Sequence, residues 1–438
     1  MAEVPDIRVL VKNFRAINNA NIIINGITVV AGENSSGKSS ISKLLYFLYK
    51  TVANYEKIVK RSLYYSFEDI YQVLDIMNQE IRLSELQRES RETLVREIFE
   101  LRRIVFGIRD SEIEEEQLVD LVTKVENVFN EILIKEPERS KSRRNERLRR
   151  ILQDILHSSD DETFIESFVK LKEVIRSRFA QAKETIELRP TSVFKSELKH
   201  AFSEGDLPEQ FEVQEYGDPI ISLDIDHLSI PYNIQKSVYI DSPMMFHSDS
   251  SKNVHWDELT KLLGERGDNS HNISEIISTE IIKGDIIAEE DSLSTDDFKF
   301  KRSDGKIFNL LDVATGIKSF SIIQLLLKSG FITDKTLMII DEPESNLHPQ
   351  WIIEYARLIV MLNKQIGVKF FLATHNPDMV SAIRYISEKE GTLETVNFYL
   401  AEKAESNFQY NYNYLGKEID PIFGSFNIAI ERINKYGI

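Results

Sequence analysis

The chain contains no cysteine, so disulfide bonds play no part in holding it together. Its 438 residues suffice for two or three domains, each with a hydrophobic core of its own. Long apolar runs are also missing, because runs such as 337–340 end at charged residues, and this excludes a membrane-spanning helix. The first seven residues lack the basic and apolar pattern of a signal peptide. Together these absences predict a cytoplasmic protein with no role inside a membrane.

Positive charge is scarce, since 54 lysine and arginine residues stand against 71 aspartate and glutamate residues, for a formal net charge of -17. This balance excludes a surface that binds nucleic acid throughout and leaves room only for local basic patches. One such patch is the run 139–150, in which seven of twelve residues are cationic. It could contact the backbone of DNA or a DNA-mimicking viral protein, but a solvated hairpin tip is the favoured interpretation.

Glycine is nearly absent from residues 51–189, where Gly107 is the only one, and apolar residues recur there at helical spacing. Pro137 lies near the middle of this range and favours a point at which the chain folds back. The pattern predicts a coiled-coil-like helical hairpin inserted at 51–189. The remaining residues, 1–50 and 190–438, are then expected to form one head with two lobes.

Short β-type runs alternate with helical segments outside this insertion. The apolar runs 335–340, 369–373 and 396–400 are separated by helices, which is typical of a largely parallel sheet with crossovers. A turn at 304–305 predicts a hairpin, and the alternation over 220–230 predicts a further strand. The sequence therefore predicts an α/β fold with a mixed, largely parallel sheet.

The sharpest motif is GENSSGKS at 32–39, which fits the phosphate-binding pattern Gly-x4-Gly-Lys-Ser and lies between a predicted strand and a predicted helix. Its glycines let backbone N–H groups surround phosphate oxygens, while Lys38 reaches the β- and γ-phosphates and Ser39 is placed to ligate magnesium. The residues expected to contact a nucleotide here are Gly32, Asn34, Ser35, Ser36, Gly37, Lys38, Ser39 and Ser40.

A second motif is the apolar strand 337–340, which is followed directly by Asp341 and Glu342. Ligands of parallel α/β sheets bind beyond the carboxyl ends of the strands, so both acids can reach a nucleotide there. Asp341 is expected to hold magnesium together with Ser39, and Glu342 to act as general base toward the attacking water. Solvated acids at a strand end are the alternative, but a phosphate loop in the same chain favours the functional interpretation.

The residues around these motifs resemble ABC-type ATPases of the RecF, SMC and OLD group. The segment 341–349, DEPESNLHP, is similar to their extended Walker B motif and D-loop, 373–377 to their switch histidine, and 11–17 to the first strand of their heads. The resemblance implies an ABC-type ATPase head with ATP and Mg²⁺ as cofactors. It also implies that His375 bonds the γ-phosphate or the attacking water, a packed core histidine being the alternative.

The segment 314–318, ATGIK, precedes an amphipathic helix and occupies the place of the signature motif of these ATPases, although Thr315 replaces serine and Ile317 the second glycine. The resemblance implies that Thr315, Gly316 and Lys318 contact the nucleotide, since a helix N-terminus of this composition is an anion site. An ordinary helix cap is the alternative. In this group the signature of one subunit completes the phosphate site of another, which implies a homo-oligomer built on a dimer of heads.

The segment 313–320, the short insertion and the residues near 419–423 resemble compact ATPases of bacterial anti-phage systems. The AriA ATPases of PARIS systems are the most similar, and retron-associated and Septu ATPases follow. The resemblance implies an ATP-driven sensor or scaffold that holds a separately encoded nuclease effector of the Toprim type. A phage-encoded trigger protein or DNA would release or activate that nuclease. The alternatives are a RecF- or SMC-like clamp for DNA repair and the motor subunit of a membrane transporter.

Asp224 and Asp226 have the spacing of a Toprim metal site, because residues two apart share one face of a strand. They lie within the predicted strand 220–230, and the sequence offers no strand-end glutamate upstream in a separate domain of suitable size, so a structural role is favoured. Only 63 residues follow His375, and completing the sheet leaves too few of them for a nuclease domain. We therefore expect the chain itself to have no nuclease activity.

Overall fold

The fold is described here from a computed structural model. Its described residues are 7–68, 70, 96, 115–135, 164–202, 207–241, 254–264, 272–288, 298–405, 408–424 and 434–436. The chain divides into two compact units, residues 1–53 with 190–438 and residues Asn54–Arg189. The basic run 139–150 and the fold-back point at Pro137 lie outside the described residues.

A ten-stranded sheet organises the first unit. Its strands are β1 (Ile7–Phe14), β2 (Ile17–Ile23), β3 (Ile27–Gly32), β4 (Gln210–Glu215), β5 (Asp218–Ser222), β6 (Lys236–Ile240), β10 (Thr336–Asp341), β11 (Lys369–Thr374), β12 (Val396–Lys403) and β13 (Tyr410–Gly416). They are ordered β5-β4-β1-β2-β13-β12-β3-β11-β10-β6. The run β12-β3-β11-β10-β6 is parallel throughout, β13 pairs parallel with β2, and the other pairs are antiparallel. The predicted α/β fold with a mixed, largely parallel sheet is confirmed.

The central strands β3, β10 and β11 are buried along their whole length. Strands that are covered on both faces consist of nearly continuous apolar residues, which is why these runs stand out in the sequence. Because the three strands are parallel, their carboxyl ends at Gly32, Asp341 and Thr374 open at the same edge of the sheet. That edge is where the predicted motifs meet.

The first unit also contains helices. They are α1 (Lys38–Ala53), α5 (Thr191–Ala201), α6 (Val254–Gly264), α7 (Asn272–Ile276), α8 (Thr315–Lys328), α9 (Pro349–Ile366) and α10 (Pro377–Lys389). Of these, α1, α6 and α9 contact the ten-stranded sheet. Helix α8 is buried over most of its length and supplies Phe320 and Ile323 to the main core. Helix α9 starts with proline at its first position and ends at Gly367, whose φ of 85° terminates the helix.

A small antiparallel sheet of β7 (Gly284–Ala288), β8 (Phe298–Arg302) and β9 (Ile307–Asn309) joins the same core. The hairpin predicted at 304–305 connects β8 to β9, and Gly305 has the positive φ of 86° that such turns require. Phe298 and Phe300 bury their rings in the core that α8 also lines.

The strand predicted at 220–230 is wrong beyond Ser222, where β5 ends. The chain turns there, although Leu223 and Leu228 remain buried and continue the apolar alternation. Asp224 and Asp226 are exposed and belong to no strand, so the shared strand face required of a Toprim metal site is not formed. Burial of leucines in a turn accounts for the misleading pattern.

The second unit contains the helices α2 (Tyr55–Ser66), α3 (Glu115–Lys135) and α4 (Phe164–Leu188) among its described residues. Helix α4 packs against both α2 and α3, and Lys172 of α4 pairs with Glu126 of α3 at 2.7 Å. The inserted hairpin and its coiled-coil character stay predictions. Among the helices that the structure describes, none combines the length and apolarity needed to cross a membrane.

Candidate nucleotide site

The phosphate loop, residues 33–37, joins the end of β3 to the start of α1. Ser35 and Gly37 have φ angles of 66° and 90°, and left-handed residues in such turns create concave sets of N–H groups that bind anions. A Cβ atom on Gly37 would lie 2.9 Å from Cγ1 of Ile17, so no larger residue fits there. The loop therefore has the backbone that its sequence predicts.

Lys38 is the first residue of α1 and is 7% exposed. Its Nζ donates to the carbonyl oxygens of Gly32 and Glu33, both at 2.8 Å. Burial lowers the pKa of Lys38, and the carboxylates of Asp341 and Glu342 oppose that shift. The ammonium thus lies between the phosphate loop and the acidic strand end, where a phosphate oxygen would compete with the two carbonyl oxygens.

Asp341 ends β10 and is 6% exposed. The Tyr239 hydroxyl donates to its Oδ2 at 3.2 Å, and the Ser39 hydroxyl also bonds the carboxylate. Burial raises the pKa of Asp341, while these two hydrogen bonds oppose the rise. Its Oδ1 is buried and has no hydrogen-bond partner among the described residues. An orphaned carboxylate oxygen beside a serine hydroxyl fits an oxygen-ligated cation such as Mg²⁺.

Glu342 follows in a left-handed backbone conformation, with φ at 52° and its N–H donating to the Ala373 carbonyl at 2.8 Å. This strained geometry turns the side chain away from the strand, so Glu342 is 47% exposed although Asp341 beside it is buried. Ser345 Oγ donates to Oε2 at 3.0 Å, and Oε1 lies 3.5 Å from Nδ1 of His375. The carboxylate is accessible to water, as a general base must be.

His375 lies between β11 and α10, and its ring is 44% exposed. Its Nδ1 is 3.5 Å from Oε1 of Glu342 and equally far from Oε1 of Glu344, without the alignment of a hydrogen bond. Within the described residues, Nε2 takes part in no hydrogen bond or ion pair. A half-exposed ring beside the general-base candidate does not fit the alternative of a histidine packed in the core.

The signature segment forms the start of α8. Thr315 is the first helical residue, and Gly316 packs so closely on Trp351 that an added Cβ would lie 2.4 Å from the indole ring. The same Cβ would lie 3.2 Å from Leu347 of the D-loop. Gly316 is therefore required by packing, a reason that is independent of nucleotide contact.

Lys318 is 8% exposed, and burial lowers its pKa while Asp312 opposes the shift. Its ammonium makes no hydrogen bond or ion pair with any described residue. No hydrogen bond or ion pair within the described ranges joins 315–318 to the phosphate loop. The signature residues therefore form a second cluster on this chain.

The structure brings most predicted residues of the phosphate site together. Hydrogen bonds and charge contacts connect five of them: Lys38, Ser39, Asp341, Glu342 and His375. Lys38 also contacts Gly32 and Ser36 of the loop that contains Gly37. Asn34 and Ser35 are exposed, and Ser40 lies on the first turn of α1. The cluster of Thr315, Gly316 and Lys318 is not connected to them by such contacts.

Three further residues of the site were not predicted. The Tyr239 hydroxyl donates a hydrogen bond to Asp341, and Glu344 accepts one from Thr374, next to the switch histidine. The Tyr412 hydroxyl donates to the Ser36 carbonyl at 3.1 Å. A sequence signal existed for the last one, because the alternation of tyrosine and asparagine over 410–414 is typical of a strand. Burial raises the pKa of Tyr239 and of Tyr412, so both hydroxyls remain protonated donors.

Over residues 27–381 the chain matches the family described as "AAA domain, putative AbiEii toxin, Type IV TA system". This range contains the phosphate loop, the acidic strand end and the switch histidine. No curated protein matches the chain. The SMC head domain from Thermotoga maritima is 10% identical, with 94% of this chain and 99% of that chain covered and a TM-score of 0.35. The Smc head domain with a coiled coil and joint from Pyrococcus yayanosii is 11% identical, with 97% and 99% covered and a TM-score of 0.37.

Proposed function

The chain belongs to this AAA-domain family, and on that premise we propose that it binds ATP with Mg²⁺ at the phosphate loop and hydrolyses it in a homo-oligomer. ATP hydrolysis is the general activity that the family supports. The observation that carries the residue assignment is the contrast between two adjacent acids. Asp341 is buried with an orphaned oxygen, and Glu342 is exposed. Neighbouring carboxylates in different environments take different roles, here cation ligand and base.

Nucleotide binding would use the phosphate loop and the first turn of α1. Lys38 already points its ammonium at loop carbonyl oxygens, which phosphate oxygens would replace as charge-assisted acceptors. Ser39 and Asp341 are the residues that would hold Mg²⁺, which when bound would neutralise charge on the phosphate oxygens.

Hydrolysis would require a base with access to water and a donor near the transferred phosphate. Glu342 is the only one of the pair 341–342 that is open to water, and we assign it the proton of the attacking water. His375 presents its unengaged Nε2, and we assign that atom to the γ-phosphate or to the same water. Nδ1 is held on the side of the two glutamates.

A homo-oligomer is proposed because the signature cluster lies apart from the phosphate loop of its own chain. The N-terminus of α8 carries partial positive charge, and Thr315 and Lys318 add a hydroxyl and an ammonium without partners among the described residues. An arrangement of this kind fits the phosphates of a nucleotide held by another copy. Each site would then combine the loop of one subunit with the signature of the next.

The test of hydrolysis is Glu342→Gln. We expect ATP affinity to persist, because Lys38, Ser39 and Asp341 are untouched, and turnover to fall by about 10²- to 10⁴-fold, the usual contribution of a positioned base. Glu418→Gln, an exposed acid outside the site, is the charge-matched control and is expected to hydrolyse ATP normally. Normal turnover by the Glu342 variant would move the base elsewhere, with His375 as the next candidate.

We further propose that the ATPase is the sensor or scaffold of an anti-phage complex, similar to the ATPases of PARIS systems, with a separately encoded nuclease as its effector. The family description, which refers to a toxin of a TA system, supports a two-component arrangement. ATP-dependent closure of the two half-sites would be the switch. A phage protein or DNA would be the trigger.

The partner proposal is tested with the purified chain alone. We expect no cleavage of DNA or RNA in the presence of Mg²⁺ or Mn²⁺, and cleavage when the native complex is isolated from its host. Nuclease activity of the chain that disappears in Asp224→Ala would overturn this proposal and make the exposed acids after β5 the site. Tight, salt-dependent binding to duplex DNA by the chain alone would instead favour a DNA clamp.

A further inference from the structure

Glu344 connects two loops at the edge of the sheet. Its carboxylate, only 4% exposed, accepts a hydrogen bond from Thr374 Oγ1 at 2.8 Å and another from the His375 N–H at 3.1 Å, both at Oε1. Nδ1 of His375 lies 3.5 Å from the same oxygen. One carboxylate oxygen from the D-loop thus faces three polar groups of the segment that carries the switch histidine.

The switch segment, 374–376, is fixed from its other end as well. The N–H of Asn376 donates to Thr374 Oγ1 at 3.0 Å, so this hydroxyl accepts one hydrogen bond and donates another to Glu344. Asn376 Oδ1 in turn accepts the N–H groups of Asp378 and Met379, at 2.8 and 3.2 Å, as the cap of α10. His375 lies between the cap and the carboxylate, with its backbone held on both sides.

This arrangement is costly for the folded chain. Within the part of the chain that the structure describes, Glu344 Oε2 is buried without a hydrogen-bond partner. A buried acceptor left unsatisfied destabilises the protein that contains it. An ion pair between His375 and Glu344 would add little stability, because His375 also faces Glu342 and its ring is half exposed. Strained or unsatisfied groups that persist beside a reaction centre are a sign that position, rather than stability, is being maintained.

We propose that Glu344 is a positioning residue, which holds the switch segment through Thr374 and the His375 N–H and so keeps the histidine ring beside Glu342. This inference rests on the proposed ATPase function, and it assigns Glu344 no contact with nucleotide. What matters is an acceptor oxygen at the Oε1 position. An amide oxygen can serve there, and an aliphatic side chain cannot.

The experiment compares Glu344→Leu with Glu344→Gln in the full-length chain. The leucine variant keeps the volume and removes the acceptor, so we expect kcat to fall by about 10²-fold with KM nearly unchanged, as for a misplaced catalytic group. The glutamine variant retains an acceptor oxygen and is expected to stay within about threefold of the wild type. Thr374→Val removes one donor and serves as a second route to the same loss if the leucine variant does not fold.

A second measurement separates this inference from the ATPase proposal. Amide hydrogen exchange of residues 370–380 in the nucleotide-free protein reports the His375 N–H directly. We expect faster exchange in Glu344→Leu and Thr374→Val, and wild-type exchange in Glu344→Gln, whether or not the chain hydrolyses ATP. Unchanged exchange in the leucine variant, or a glutamine variant as slow in turnover as the leucine variant, would overturn the positioning role.

Discussion

Asp341, Glu342 and Glu344 lie within four positions of one another and occupy three different environments. Asp341 and Glu344 are buried, and burial raises the pKa of both. Each has one oxygen with no hydrogen-bond partner in the described ranges. Glu342 is half exposed. Buried charged groups cost stability in the resting protein, and for Asp341 we expect a bound cation to offset that cost. Function and stability are therefore opposed at this strand end.

Asp341→Asn is expected to stabilise the chain when EDTA is present and nucleotide is absent. A carboxyl whose folded pKa is raised above its ordinary value of 3.8 stabilises the fold fully below that pH, and this contribution is lost as pH rises through the raised value. At neutral pH the wild type therefore carries a charge that the asparagine variant does not. Thermal unfolding should show a higher Tm for the variant at pH 7 to 8 and a shrinking difference as pH falls toward 4.

With Mg²⁺ and ATP present the order should reverse, because a ligand that binds only the wild type raises only its stability. Thr336→Ser, a buried polar position at the opposite end of β10, is a control that leaves the carboxylate in place. A Tm of the asparagine variant below that of the wild type, in EDTA at neutral pH, would contradict the prediction that the buried charge of Asp341 destabilises the ligand-free protein.

At the scale of elements, the N-terminus of α8 is coupled to the D-loop by packing. Trp351 of α9 and Leu347 of the D-loop occupy the space that a side chain at position 316 would need. Phe320, one turn further along α8, places its ring edge-on to Trp351 with a centroid distance of 5.6 Å. The orientation of α8, and with it the signature cluster, therefore depends on the indole of Trp351.

Gly316→Ala should reduce the free energy of unfolding by about 1–3 kcal/mol, the usual cost of overpacking. The added Cβ would lie 2.4 Å from the ring, and one of the two helices must move. Gly424→Ala is the matched control, since an added Cβ there meets no atom within 4 Å. Urea unfolding of Gly316→Ala, Trp351→Leu and the combined variant gives a double-mutant cycle, in which the alanine should cost less stability when Trp351→Leu is also present. Equal stability of the two alanine variants would contradict the contact.

The elements predicted correctly are those whose signal is local. The phosphate loop and the strand before Asp341 each carry their pattern within a few residues, and buried parallel strands are continuous apolar runs. Strand β13 was not predicted in spite of its alternation, because over 410–414 every second residue is asparagine, a residue type depleted in strands. These asparagines have lateral partners, as Asn411 has in Asn18 at 2.7 Å. Burial in that strand is carried by Tyr410 and Tyr412.

Residues of the site that act across the fold could not be predicted in the same way. Tyr239 reaches Asp341 from the neighbouring strand, and Tyr412 reaches Ser36 from β13, so both depend on sheet order. Glu344 lay inside a recognised motif, but its partner Thr374 is 30 positions away and only the parallel pairing of β10 with β11 brings them together. Tertiary pairing, which local sequence does not specify, placed all three.

If each chain carries two half-sites, the phosphate loop and the signature cluster, a mixture of two variants that are defective in different half-sites should regain activity. Lys38→Ala should abolish nucleotide binding by removing a charge-assisted contact to phosphate, and Thr315→Arg should block the signature. Each variant alone is expected to be inactive. In a mixed dimer one of the two sites combines an intact loop with an intact signature, so an equimolar mixture should recover about a quarter of wild-type turnover.

The measurement is the ATP hydrolysis rate after the two variants have been mixed and allowed to exchange subunits. The control mixture combines Thr315→Arg with Lys43→Ala in place of Lys38→Ala. Lys43 lies on the same helix as Lys38 and takes no part in the hydrogen bonds of Lys38. Calorimetry with ATP confirms that Thr315→Arg still binds nucleotide at its own loop. A mixture that remains inactive although both variants are folded and oligomeric would show that each site is complete within one chain.

The position of β3 in the sheet also has a consequence for how the protein is made. Its two neighbours, β11 and β12, and the Tyr412 hydroxyl that braces the phosphate loop all belong to much later parts of the chain, Tyr412 lying 376 positions after Ser36. On the ribosome, β3 therefore stays without its strand partners until β11 and β12 have been translated. Pairings of such long range are slow to form and leave strand edges open in the meantime. We therefore expect a newborn chain to bind ATP only after β11, β12 and Tyr412 have been added.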